Sequence, residues 1–245
     1  MSHAVRVIGW GQYSQPKTES NPRDAMGLMA LAAQRAASCL KDPTALSQVD
    51  ALFVVRSLST HYDDAALELA GRLHAHPEFT TVSKVGGNSP QTLINQAAGM
   101  IARREIRYAL VVGAETYVTR NRGEERLDSA LMKGIPDHYP GDDAIGVTQF
   151  EKRHGMEHPM QGFPLFQTAL WDASGLGLED HLLQTATLWS RFNEAAQNHP
   201  HAWTRGRKTP EEIMTPSRTN RPIAFPYTKF MNAFVTVDQI GRAHV

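Results

Sequence analysis

Short apolar runs alternate with amphipathic stretches along the first half of the chain. Runs of strand length occupy residues 5–10, 50–55, 79–82 and 108–113. Apolar residues recur at helical spacing from residues 21–24 to about residue 40, over residues 65–73, and from residue 89 to about residue 104. This alternation predicts a mainly parallel sheet covered by helices, with functional sites at the carboxyl ends of the strands.

Two of the predicted helices begin with clear capping signals. Residues 21–24 (NPRD) supply an N-cap and a proline for the first helix, and Ser89 followed by Pro90 begins a later one. The single cysteine, Cys39, falls on the apolar face of the first helix. We therefore expect Cys39 to lie in the core.

The strand–helix rhythm changes after Glu115. Residues 116–225 contain most of the prolines and three of the four tryptophans. They show helical patterns near residues 166–173 and 179–196 but no convincing strand. We interpret this part of the chain as an inserted region of helices and loops.

Composition and charge disfavour several classes of protein. The 245 residues carry 25 Lys and Arg against 25 Asp and Glu, so no global positive field gathers nucleic acid or anionic lipid. The first residues lack the pattern of a signal peptide, and no apolar run is long enough to span a bilayer. A lone cysteine also fits a reducing compartment. We expect a cytoplasmic protein with no nucleic-acid partner and no membrane span.

Two sequence blocks carry a resemblance to a known family. Residues 85–98 (VGGNSPQTLINQAA), leading into residues 109–115 (ALVVGAE), resemble the nucleophile loop, helix and strand of the thiolase superfamily. Residues 225–232 (FPYTKFMN) and 237–239 (VDQ) are similar to the stretch that returns the chain to the core in acetyl-CoA acetyltransferases of the sterol-carrier-protein thiolase type.

The resemblance implies an α/β chain with the N-terminal half of a thiolase-like fold. This half is a mixed, mainly parallel sheet with helices, plus an inserted helical and loop domain. The expected segments are a core at residues 1–115, the insertion at 116–225 and a return to the core at 226–239. Residues 240–245 (IGRAHV) read as the translation of a common sequencing adapter, and we expect them to lie outside the natural protein.

The same resemblance implies a protein that handles acyl-CoA and transfers acyl groups between thioesters in lipid metabolism. The position of the nucleophilic cysteine falls on Asn88, and its neighbours, Gly87 and Ser89, do not restore a thiol. Ser89 is either a weak substitute nucleophile or a helix cap. Gly86 and Gly87 either let the backbone approach a thioester or form an ordinary tight connection.

The missing second half of such a fold would supply the activating histidine and the group that transfers protons. We therefore expect this fragment to be inactive by itself. Coenzyme A or acyl-CoA is expected as substrate or ligand, without a tightly bound cofactor. The full-length protein is expected to form a homodimer through residues 79–84. An alternative is a non-catalytic subunit that binds acyl-CoA or lipid and acts as a scaffold for a partner.

Two further clusters have competing interpretations. Residues 154–158 (HGMEH) fit a zinc-protease pattern, but Gly155 and Pro159 oppose a continuous helix, so no metal site is predicted. A basic stretch around Trp203 could bind the phosphates of coenzyme A, or it could be a solvated loop. The substrate-binding candidates from this stretch are Arg205, Arg207 and Lys208.

Overall fold

A computed structural model of the chain describes residues 4–40, 42, 44–122, 148–156, 158–233 and 238–244. The chain divides into two compact units. The first unit comprises Met1–Asp143 with Thr236–Val245, and the second comprises Ala144–Val235. These divisions differ from the expected segment boundaries at residues 115 and 225, which stay predictions.

A six-stranded mixed sheet forms the centre of the first unit, within the described residues. Its strands are β1 (Trp10–Ser14), β2 (Ala51–Val54), β3 (Phe79–Val82), β4 (Ala109–Val112), β5 (Ala114–Thr116) and β8 (Asp238–His244). Their spatial order is β1-β8-β4-β2-β3, with β5 paired to β8. Strand β2 is parallel to β3 and β4, whereas β8 is antiparallel to β1, β4 and β5.

Alternating side chains of the central strands enter two separate cores. Leu52 and Val54 of β2 join the cluster on one face, whereas Ala51 and Phe53 join the cluster on the other. Strand β4 repeats this alternation. All residues of both strands are buried, which explains why their sequences are continuous apolar runs.

Helices α1 (Ala25–Ser38) and α2 (Ala65–Leu73) supply the larger core on the first face. Each helix has an aspartate N-cap, Asp24 for α1 and Asp64 for α2, whose side chain accepts backbone N–H groups. Helix α1 packs so close to β1 that a Cβ at Gly11 would overlap the carbonyl oxygen of Ala32. Glycine is therefore required in this strand.

Helix α3 (Ser89–Ala102) covers the second face with a narrow buried stripe. Leu93 and Ala97 pack against Phe53 and Val111, while most of the remaining positions of α3 are exposed or partly exposed. The helix therefore contributes fewer core residues than α1.

A buried carboxylate connects the returning strand β8 to helix α4 (Tyr117–Arg122). Asp238 is 2% exposed, and its Oδ1 accepts from the backbone N–H of Val118 at 2.7 Å. Its Oδ2 accepts from the N–H of Thr119 at 2.9 Å. The carboxylate thus satisfies free N–H groups in the first turn of α4.

The predicted return of the VDQ segment can be followed only in part. Val237 lies outside the described residues, whereas Asp238 and Gln239 begin β8 in the first unit. Residues 240–244 continue that strand, and Val245 is outside the described part of the chain. The adapter interpretation of these residues stays a prediction.

The second unit contains four described helices and a short hairpin. The helices are α5 (Gln149–Arg153), α6 (Pro159–Ser174), α7 (Leu178–Ala196) and α8 (Pro210–Met214). Strands β6 (Pro222–Ala224) and β7 (Tyr227–Thr228) pair antiparallel. The hydrophobic cluster of this unit has three buried residues, Ala186, Ile213 and Met231.

Asn220 is a polar centre of the second unit. It is fully buried, and its Nδ2 contacts the backbone carbonyl oxygens of Glu212, Ile213 and Thr215 at 3.1, 2.8 and 3.0 Å. Its Oδ1 accepts from the N–H of Phe230 at 2.9 Å. One amide therefore joins the end of α8 to the segment that follows the hairpin.

Several local predictions are wrong. The first strand covers Trp10–Ser14 rather than residues 5–10, because its pairing with β8 begins at Trp10. Cys39 is exposed, because α1 ends at Ser38 and leaves it at the C-cap. Strand β6 lies within the segment where no strand was expected.

Candidate functional site

A cleft of about 370 Å³ lies at the carboxyl ends of β2 and β4, inside the first unit. This is the edge of the sheet where the sequence predicted functional sites. Its lining residues come from the ends of these strands, from α3, from β5 and from β8: Val55, Arg56, Pro90, Ile94, Val111, Val112, Gly113, Ala114, Glu115 and Gln239. Most of these residues are apolar, and Arg56, Glu115 and Gln239 are the polar exceptions. A volume of this size can accommodate a small ligand.

The carboxylate of Glu115 is held by the loop that follows β2. Its Oε1 accepts from the backbone N–H of Leu58 at 2.8 Å. Its Oε2 accepts from the N–H of Ser59 at 2.8 Å and from the hydroxyl of Ser57 at 3.2 Å. In return, the hydroxyl oxygen of Ser59 accepts from the N–H of Thr116 at 2.8 Å. Glu115 therefore fixes one wall of the cleft.

Arg56 is anchored to the end of the neighbouring strand. Its backbone N–H donates to the hydroxyl oxygen of Ser83 at 3.1 Å, and its Nε donates to the carbonyl oxygen of Ser83 at 3.3 Å. Ser83 is buried and directly follows β3. These two hydrogen bonds to Ser83 hold Arg56 in place where it lines the cleft.

The turn that begins α3 places Asn88 two residues before the cleft-lining Pro90. Asn88 is exposed, and it is the N-cap residue of α3 without a side-chain capping bond. Pro90 stands in the first turn of the helix, as the sequence predicted. Asn88 therefore lies at the N-terminus of the helix whose Pro90 lines the cleft, and it offers neither a thiol nor a hydroxyl.

Ser89 is neither exposed nor a helix cap. It is 7% exposed, and its hydroxyl donates to the carbonyl oxygen of Lys84 at 2.8 Å. Its backbone N–H donates to the carbonyl oxygen of Gly86 at 3.1 Å. The capping interpretation is wrong in detail, because the hydroxyl holds the preceding loop instead of a helical N–H. A hydroxyl used in this way is a poor nucleophile without a base beside it.

The two glycines of this turn differ in what surrounds them. A Cβ at Gly86 would come within 2.8 Å of Asn88 Oδ1 and 3.3 Å of Ser89 Oγ. A Cβ at Gly87 would meet nothing within 4 Å. A side chain at position 86 would therefore displace the exposed Asn88 amide, whereas one at position 87 would meet open space.

The three basic candidates lie in the second unit, and two of them, Arg205 and Lys208, have intramolecular contacts. Arg205 donates from Nη2 to the carbonyl oxygen of Pro200 at 2.6 Å and from Nε to that of Ala202 at 3.1 Å. The Lys208 ammonium lies 4.5 Å from the centre of the Phe230 ring. Arg207 is exposed. Arg205 and Lys208 therefore contribute to the local fold of this region.

The histidines of the HGMEH segment are on separate structural elements. His154 is the C-cap of α5, with Nδ1 2.8 Å from the carbonyl oxygen of Phe150, whereas His158 is the N-cap of α6. The predicted break in the helix is confirmed, and Glu157 lies outside the described residues. Among the residues that the structure describes, no cluster of three His, Cys, Asp or Glu side chains could hold a metal ion.

The sequence analysis did not identify Arg56 or the loop at residues 57–59. A signal was available, because these residues directly follow an apolar strand whose carboxyl end borders the predicted site. What could not be derived is that Glu115, 58 residues after Ser57, accepts the hydrogen bonds of this loop.

Comparison with solved structures shows a thiolase-like fold. A monomeric SCP2-thiolase-like protein type 1 from Mycobacterium smegmatis superposes with a TM-score of 0.75 and 22% identity, over 97% of this chain and 44% of that one. The Ltp2-ChsH2(DUF35) aldolase superposes with a TM-score of 0.65 and 18% identity, over 97% of this chain and 54% of that one. The chain thus spans about half the length of these structures.

The fold class predicted from the sequence is confirmed by these superpositions. No protein-family model and no curated protein matches the chain. Within the described residues, no helix is both long enough and apolar enough to cross a bilayer.

Proposed function

We propose that the chain belongs to a thiolase-superfamily protein that binds acyl-CoA and acts on the thioester, in the manner of an acetyl-CoA acetyltransferase. The observation that carries this proposal is the cleft at the carboxyl ends of β2 and β4, which is lined by Pro90 and Ile94 of α3, the helix whose N-cap is Asn88. An apolar cleft beside a helix N-terminus suits a pantetheine arm with a thioester carbonyl.

A second candidate function is a non-catalytic subunit that binds acyl-CoA or lipid and supports a catalytic partner. It is favoured by Asn88, because an amide cannot carry an acyl group as a covalent intermediate. The hydrogen bond from Ser89 to the Lys84 carbonyl oxygen also favours it. Both candidates place the same ligand in the same cleft and differ in turnover.

Coenzyme A is proposed as a substrate or exchangeable ligand and not as a tightly bound cofactor. Arg205, Arg207 and Lys208 remain the proposed contacts for its phosphates. Arg207 is the best suited of the three, since it is exposed, whereas Arg205 already donates to two carbonyl oxygens.

For the whole protein we propose a homodimer in the cytoplasm. Strand β3 lies at the edge of the sheet in the described part of the chain, with one neighbour, β2, so its outer side offers backbone groups for pairing. Strand β3 includes most of residues 79–84, the segment that we expect at the dimer interface.

Calorimetry with acetyl-CoA and with free coenzyme A tests the proposed ligand. We expect saturable binding that is lost in Ile94→Trp, because the indole would fill the cleft. Leu67→Trp is the matched control, since Leu67 is 60% exposed on α2 and does not line the cleft. Binding that is equally strong in Ile94→Trp would place the ligand elsewhere.

Turnover separates the two candidate functions. A full-length protein incubated with acetoacetyl-CoA and free coenzyme A should release acetyl-CoA if it is a thiolase-type enzyme. A scaffold should bind the thioester without turnover. Thiolysis that persists in Ser89→Ala would exclude Ser89 as the nucleophile.

A further inference from the structure

The two strand ends that border the cleft are joined beyond the point where their backbone pairing stops. The parallel register of β2 and β4 ends at Val54 and Val112, and the N–H of Val55 makes one more bond, to the carbonyl oxygen of Val112 at 2.7 Å. The chain after β4 then turns to a different partner, because β5 pairs with β8. From there on, the side chain of Glu115 joins the two segments.

Both oxygens of the Glu115 carboxylate are engaged by the loop at residues 57–59. Two consecutive backbone N–H groups, those of Leu58 and Ser59, donate to different oxygens at 2.8 Å each. The Ser57 hydroxyl donates to the same oxygen as Ser59, at 3.2 Å. The loop therefore presents donors for an anion with two oxygens. A carboxylate bound in this way is suited to hold the loop in one conformation.

The loop is directly attached to residues that line the cleft. Val55 and Arg56 precede it, and both line the cleft, as do Gly113, Ala114 and Glu115 itself. The two segments approach closely, since a Cβ at Gly113 would lie 2.6 Å from Cβ of Val55. A displacement of the loop would therefore change the shape of the cleft.

We propose that Glu115 is a positioning residue for ligand binding, which acts through the loop at residues 57–59 to hold the cleft in the form that accepts a thioester. The inference rests on the proposed function and adds to it the residue that sets the affinity. A loop that is already ordered loses little conformational freedom when a ligand binds. Without the carboxylate, the ligand has to order the loop, so its affinity falls.

Calorimetry with acetyl-CoA on two variants tests this role. Glu115→Ala removes the carboxylate, whereas Glu115→Gln keeps its size but turns an NH2 group towards a donor of the loop. Both variants should bind acetyl-CoA about tenfold more weakly than the wild type. Glu105→Ala is the matched control, because Glu105 is an exposed carboxylate that pairs with Arg103 and does not line the cleft. It should keep the wild-type affinity.

Rescue by a small anion separates positioning from a general loss of stability. Acetate contains the carbon and carboxylate atoms that Glu115→Ala removes beyond Cβ. Added acetate should therefore restore the affinity of Glu115→Ala for acetyl-CoA. Acetamide has the same shape, but its NH2 group would face the donors of the loop, so it should restore nothing.

Hydrogen exchange measures the order of the loop without any ligand. The backbone N–H groups of Leu58 and Ser59 should exchange slowly in the wild type, since the carboxylate accepts from both. In Glu115→Gln their exchange should accelerate, while β2 and β4 remain protected. The wild-type rates are decisive even if a variant does not fold.

Three results would overturn the role of Glu115. They are wild-type affinity in both variants, an effect of acetate no larger than that of acetamide, and N–H groups of Leu58 and Ser59 that exchange without protection in the wild type. A wild-type protein that binds no acetyl-CoA would contradict the proposed function itself, and with it the role that rests on it. Binding that is insensitive to the substitutions would contradict only the role of Glu115.

Discussion

Each of the two units is stabilised internally by a different kind of interaction. In the first unit, the described residues form one cluster of nineteen buried apolar residues and another of seven. In the second unit, the cluster contains three, and large side chains such as Phe163 and Phe166 are 62% and 68% exposed. There, the Asn220 side chain joins α8 to the segment after the hairpin, and the Gln167 side chain of α6 forms hydrogen bonds with α7 and β7. The first unit thus depends on apolar packing and the second on polar side chains.

Phe53→Ala should have the largest effect on stability. Phe53 is fully buried in β2 and contacts the ring of Phe79 at a centroid distance of 5.4 Å. Its truncation should cost about 3–5 kcal/mol through lost burial and a cavity. Hydrogen exchange should accelerate in β2 and β4. Phe150→Ala is the control, because Phe150 is 71% exposed, and a similar loss there would contradict the packing argument.

Asn220→Asp should weaken the second unit by about 1–3 kcal/mol, since a carboxylate cannot donate to the three carbonyl oxygens that Asn220 contacts. Hydrogen exchange should accelerate around α8 and the hairpin, while β2 and β4 remain protected. Asn198→Asp makes the same chemical change at an exposed position. Equal effects of the two substitutions would remove the special role of Asn220.

Asp64→Ala should have the smallest effect, a loss of about 1 kcal/mol from an N-cap. The Asp64 carboxylate accepts from the N–H groups of Ala66 and Leu67 at 3.1 and 3.0 Å. Denaturant titration measures the loss. Asp63→Ala is the control, because Asp63 is fully exposed and makes a 3.6 Å contact with His61. An unchanged midpoint in Asp64→Ala would show that α2 is held by packing alone.

The same contrast explains what could be predicted from the sequence. The bounds of α2 and β3 are as expected, because apolar spacing and buried strands leave a direct pattern. Helix α6 begins at Pro159, before the helical pattern near residues 166–173, since much of its surface is exposed and shows little periodicity.

The candidate site shows the same limit. The positions of the strand ends in the sequence predicted where the cleft lies, and the family resemblance pointed to Asn88. The contact of Glu115 with residues 57–59 joins distant segments through side-chain and backbone groups, so neither spacing nor propensity could reveal it. The hydrogen bond from Ser89 to Lys84 depends on the loop conformation, which the sequence does not specify.

The most direct test of the account is whether the sulfur of a pantetheine arm reaches the Asn88 turn. In a Cys39→Ser background, Asn88→Cys would be treated with the symmetrical disulfide of coenzyme A, and the mixed disulfide followed by mass spectrometry. We expect its formation to be at least about tenfold faster than in the exposed control Lys84→Cys, and to be slowed by acetyl-CoA. Equal rates at the two positions, unaffected by acetyl-CoA, would contradict the account.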